Sequence, residues 1–102
     1  DWVAGVVVVF TGLAATQHSM TNPLATVDGD AATITMYMEA HHVYDPDDPA
    51  SWYTVGGYYD DTLVRVDSRW LLTGVRLTVT WRAGRPAIME LARAAGKRLL
   101  GS

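Results

Sequence analysis

Thr16-Gln-His-Ser-Met-Thr-Asn-Pro-Leu-Ala-Thr-Val-Asp-Gly-Asp-Ala-Ala-Thr-Ile-Thr-Met-Tyr-Met-Glu-Ala-His-His-Val43 decides how this chain folds. The turn signal Asp28-Gly29-Asp30 lies between two arms of β-type alternation, which predicts a hairpin. The second arm puts Ile34, Met36, Met38, Ala40 and His42 on one face. It puts Thr33, Thr35, Tyr37, Glu39 and His41 on the other. One face is apolar and the other mostly polar, as in a half-buried strand. All three histidines of the chain, His18, His41 and His42, fall in this hairpin. With Gly29 as the tip, His18 faces Ala40 and has His42 as its diagonal neighbour. Diagonal neighbours stand roughly 7–8 Å apart, within reach of aromatic side chains. A slip of one residue would exchange the faces, and Pro23 is a natural place for a bulge.

Outward from the hairpin, Trp2 to Ala15 is almost wholly apolar. It is too short to span a bilayer as a helix and lacks the basic start of a signal peptide. Val6 to Val9 would accept a strand, but Thr11 to Ala15 would not. A helix over Trp2–Leu13 is predicted, with Asp1 favouring its start. A helix apolar all round is expected to be buried or covered. The first strand is predicted over Gln17–Val27, interrupted near Asn22-Pro23, and the second over Ala31–Tyr44. Asp45-Pro-Asp-Asp-Pro49 breaks the pattern as a loop, and it lacks the glycine and terminal glutamate of a calcium loop.

A third strand is predicted over Trp52–Val66, with Gly56-Gly57 marking a bend, a bulge or a close approach. Tyr58 and Asp60 share one of its faces, Tyr59 and Asp61 the other. Asp67-Ser68-Arg69 is a turn, and a fourth strand follows over Trp70–Trp81. Pro86 suits the first turn of a last helix, on which Ile88, Leu91, Ala92, Ala95 and Leu99 recur at helical spacing. Helices beside runs of strands predict an α+β domain with an antiparallel sheet of about four strands.

The chain has 102 residues, consistent with one domain. A formal charge of −3 argues against a nucleic-acid partner. With no cysteine, disulfides and thiolate metal sites are excluded. Four Trp and five Tyr provide a well-filled sheet core or a pocket lined with rings. No membrane partner is expected, and the setting expected is cytoplasmic.

The ordered set Thr16-Gln17-His18, Asn22-Pro23, Val27-Asp28-Gly29-Asp30-Ala31-Ala32, Tyr37, Ala40-His41-His42, Gly56-Gly57-Tyr58-Tyr59-Asp60-Asp61, Leu63-Val64-Arg65, Trp70, Arg76-Leu77, Trp81 and Gly84 resembles the SnoaL-like polyketide cyclase family. That family belongs to the nuclear transport factor 2-like superfamily, and the sequence is most similar to its scytalone dehydratase-like branch. The resemblance implies a cone-shaped α+β fold in which a curved sheet wraps helices around an apolar pocket. It matches the family's catalytic histidines to His18 and His42, with His41 the nearby alternative. It also implies chemistry without a cofactor or a metal.

Family members usually carry further N-terminal helices that supply a tyrosine and an aspartate. Trp2–Leu13 resembles the last helix before the sheet, so an N-terminally truncated domain is expected. Met20, Met36 and Met38 are expected to give the imidazoles an apolar setting that keeps them neutral. Tyr58, Tyr59 and Asp60 are expected to contact substrate, with Asp60 or Asp61 able to orient a histidine.

Two functions follow. The first is a lyase, isomerase or cyclase that moves protons on a small cyclic or polyketide-like compound. The second is a non-catalytic module that binds a small apolar ligand or oligomerises. An opened apolar face makes a homo-oligomer, dimer or higher, the expectation under both.

Overall fold

The computed structural model describes residues 2–101, apart from the side chain of Trp2. Asp1, expected to favour the helix start, lies outside the described residues. The order is α1 (Trp2–Gly12), β1 (Ala15–Asp28), β2 (Ala31–Val43), a short 3₁₀ turn (Pro49–Ser51), β3 (Trp52–Val66), β4 (Arg69–Gly84) and α2 (Ala87–Leu99). The four strands form one sheet in the order β1-β2-β3-β4. The fold class is α+β with a four-stranded antiparallel sheet, as the alternation of the sequence implies.

Burial along β2 alternates from Ala31 to Val43, with Met38, Ala40 and His42 the buried positions. The β2–β3 register can be read from two backbone hydrogen bonds. Tyr44 donates to Ser51 and Arg65 donates to Asp30. Both pairs of residue numbers have the same sum, so the ladder keeps one register between them. Tyr37 therefore faces Tyr58 and Thr35 faces Asp60, while Met36 and Tyr59 share the opposite side of the sheet.

The chain forms two compact units. The first holds residues 1–18, 40–55 and 82–102, the second residues 19–39 and 56–81. In the first unit the two helices carry the core. Val9 and Leu13 of the α1 segment meet Ile88 and Ala92 of α2 and Tyr53 of β3, with Tyr44, Val55 and Met89 around them. Ile88 is fully buried, which stabilises by about 1.5–3 kcal/mol. Gly12 and Gly96 let the helix backbones touch. A Cβ on Gly12 would run into the Ala92 carbonyl, and one on Gly96 into the Val8 carbonyl.

The all-round apolar character of α1 is only partly used. Val9 is buried, whereas Val3, Val7 and Phe10 are exposed. Packing on α2 needs one stripe of a helix, and the rest of its surface faces outward in this chain.

The acidic loop of the first unit is built by its own carboxylates. The Asp45 carboxylate accepts from the Asp47 amide, and that of Asp48 from the Ala50 amide, each at 3.0 Å. The buried Ser51 hydroxyl accepts from the Asp45 amide at 3.0 Å and lies 2.7 Å from the Asp48 carbonyl. These acids cap turns. Among the described residues no three His, Asp or Glu side chains converge as a metal-ligand set.

In the second unit both hairpin turns use left-handed backbone. Gly29 stands at φ 61°, Asp67 at 52° and Ser68 at 67°. Two successive positive φ values mark the primed turn that suits twisted strands. The glycine pair Gly56-Gly57 marks a close approach. A Cβ on Gly56 would overlap the Trp81 indole, and one on Gly57 the Thr78 carbonyl.

The expected interruption of β1 takes a milder form. Its strand runs through Asn22-Pro23 without a break, with Asn22 at φ 54°. Pairing outward from a turn at Gly29-Asp30 would put His18 on the face of His41. Its ring instead meets that of His42. Asn22 has a left-handed backbone of the kind found at bulges.

Gly96→Ala should destabilise the first unit by about 1–3 kcal/mol, because backbone cannot move aside for a methyl group. Thermal denaturation checks this against Gly5→Ala, whose added Cβ meets nothing within 4 Å.

Candidate active site

The first unit gathers four rings. His18, near the start of β1, and His42, near the end of β2, have centroids 5.7 Å apart with planes at 72°. Phe10 of α1 stands edge-on to His18 at 5.9 Å and tilted to His42 at 6.5 Å. Tyr53 of β3 stacks on the other ring of the pair, His42, at 5.9 Å and 27°. Strand alternation delivers His42 and Tyr53 to the side of the sheet that the helices cover, and α1 brings Phe10.

The two imidazoles differ in setting. His42 is only 6% exposed, whereas His18 is open to solvent. The Nδ1 atom of His42 lies 2.9 Å from the Tyr53 carbonyl oxygen in a buried hydrogen bond. A carbonyl can only accept, so Nδ1 carries the proton and the neutral ring keeps its lone pair on Nε2. One tautomer of His42 is thus held by backbone, where a carboxylate from Asp60 or Asp61 was the sequence expectation.

His18 has its pKa lowered from the ordinary histidine value. Burial of part of its ring is the larger cause, and charge on neighbouring His42 is the second. His18 therefore stays a neutral base to lower pH than a free histidine does. His41 points to the opposite face of β2, where its Nδ1 lies 2.9 Å from the Thr54 hydroxyl. The described ring contacts of His18 are with Phe10 and His42.

The remaining expected contacts fall in the second unit. Met38 is buried, Met36 and Tyr59 are half-buried, and Met20 is exposed. Met36, Tyr58 and Asp60 line one cavity of about 440 Å³ together with Tyr37, Thr35, Asn22 and Leu24. Tyr58 and Asp60 stand on the Tyr37 side of the sheet.

Phe10 and Tyr53 are the site residues that sequence reasoning did not single out. Tyr53 was open to discovery, since closing the acidic loop at Tyr44 and Ser51 sets it across from His42. Phe10 carries no such signal, because only helix packing brings it to the strands.

The SnoaL-like domain model matches residues 1–76. Among solved structures, the Kfla4162 protein of Kribbella flavida is 32% identical with a TM-score of 0.72, over 91% of this chain and 62% of that one. A protein of Novosphingobium aromaticivorans named as a candidate scytalone dehydratase is 26% identical with a TM-score of 0.61, over 74% of this chain and 50% of that one. A single-residue variant of Rv3472, a Mycobacterium tuberculosis protein of unknown function, is 23% identical with a TM-score of 0.60. It covers 90% of this chain and 59% of that one, and it shows the fold alone. The chain thus spans between half and two thirds of the length of these relatives. No curated protein sequence matches it. With the family match over three quarters of its length and the α+β architecture of the nuclear transport factor 2-like superfamily, the chain belongs to the SnoaL-like domain family.

Proposed function

We propose that His18 and His42 are an acid–base pair. They move protons on a small cyclic or polyketide-like compound, in a lyase, isomerase or cyclase reaction that needs no cofactor. The observation that carries this reading is the 5.7 Å approach of the two rings, with His42 locked in one tautomer by the Tyr53 carbonyl. A neutral imidazole is suited to take a proton, and the imidazolium formed in that step to give one back.

The specific reaction we favour is elimination of a hydroxyl group next to a carbonyl. His18 takes the C–H proton alpha to the carbonyl, and the electron pair forms the new double bond. The C–O bond breaks, and the departing hydroxide takes a proton from the His18 imidazolium, directly or relayed through the free Nε2 of neutral His42, and leaves as water. That transfer returns both rings to the neutral state. The apolar rings of Phe10 and Tyr53 limit water at His42, which strengthens the hydrogen bond that orients it.

A second reading is a ligand-binding or self-associating module. It is favoured by exposed apolar side chains, with Val3, Val7 and Phe10 on α1 and Leu71, Val75 and Leu77 on β4. Under that reading the chain forms homo-oligomers, which light scattering on the purified chain measures directly.

The test of catalysis is exchange of alpha C–H protons of cyclic ketones in deuterated water, followed by proton NMR. His18→Gln and His42→Gln should each slow exchange by about 100-fold or more. Equal rates in the parent and both variants would remove the acid–base assignment.

The depressed pKa of His18 also links stability to pH. Between its folded pKa and about 6.5, the unfolded chain holds more protons at this residue than the folded one, so its contribution to stability rises with pH. Above that window the ring is neutral in both states and the penalty is gone. Urea unfolding from pH 5 to 7.5 should show the parent losing more stability on acidification than His18→Gln.

A further inference from the structure

The cavity of about 440 Å³ in the second unit has a chemistry of its own. Its walls include two phenol rings, Tyr37 and Tyr58, which face each other across β2 and β3. Asp60, one residue pair further along the same face, adds a carboxylate. Leu24 contributes an apolar side, and Tyr37 is 60% exposed at the mouth. None of the three histidines lines it.

Among the described residues the charge of Asp60 is not met by a cation. Arg65 pairs with Asp30 and Arg93 with Glu90. A half-buried carboxylate beside two electron-rich ring faces attracts positive charge in two ways. The carboxylate accepts charge-assisted hydrogen bonds, and the ring quadrupoles favour a cation over their faces. The hydrocarbon wall suits a ligand whose charge sits at one end of an apolar body.

We propose that this cavity binds a small organic cation, an ammonium group carried on an apolar or aromatic body, between Tyr37, Tyr58 and Asp60. The anion of the same body is disfavoured by Asp60, and a neutral isostere forfeits the ionic contact.

Calorimetric titration of the whole chain with phenethylamine, 3-phenylpropanol and 3-phenylpropionate near pH 7 tests the proposal. The protonated amine should bind saturably, the alcohol about tenfold more weakly and the carboxylate more weakly still. Asp60→Asn should weaken the amine about tenfold, and Tyr37→Leu about threefold, with circular dichroism unchanged. His42→Gln should leave amine binding as it is, which separates this site from the acid–base pair. Equal affinity for amine and alcohol, an unaffected Asp60→Asn, or no saturable binding of the amine would overturn it.

Discussion

Everything chemical in the first unit depends on one cross-strand register. Where β2 meets β3, Tyr44 bonds to Ser51, and His42 thereby comes to lie against the Tyr53 carbonyl. That carbonyl belongs to a residue whose ring is packed among Val9, Leu13, Ile88 and Ala92. The acceptor is therefore as rigid as the core itself. A histidine held by backbone cannot lose its orientation through a side-chain rotation in its partner, and its free nitrogen faces a defined direction. Shifting the register by one residue would put His41 in this place and expose His42 to the other side.

The register in turn leans on loop chemistry. Asp45 and Asp48 spend their carboxylates on backbone amides, and Ser51 buries its hydroxyl among three backbone groups. This makes the connection closed by Tyr44 and Ser51 a stiff clamp. The acids that could suggest a metal loop are the groups that bring His42 and Tyr53 level. At the other end of the unit, Gly12 and Gly96 allow α1 and α2 to meet backbone to backbone. Phe10 is carried to the histidines by that close approach.

The two histidines also show how one residue type takes two states. His18 is open to solvent yet depressed in pKa by partial burial and by the charge next to it. His42 is buried and hydrogen-bonded. Their difference is a matter of environment, since the side chains are identical.

The period-two pattern of Ile34, Met36, Met38, Ala40 and His42 was enough to identify β2 and its buried face, because alternation is a property of the strand alone. Turn residues and helical spacing likewise marked both hairpins and α2. The family signature pointed to His18 and His42 through the order of its residues. Other features belonged to tertiary structure. The left-handed backbone at Asn22 and the meeting of the His18 and His42 rings are two such features. Phe10 and the Tyr53 carbonyl enter the site through packing and through a main-chain atom, neither of which has a sequence code. Tyr58 and Asp60 were legible as a same-face pair, but only the β2–β3 register set them beside Tyr37 and Thr35 rather than on the side of Met36. Local sequence specifies which way a side chain points along its own strand, and the partner strand decides what it points at.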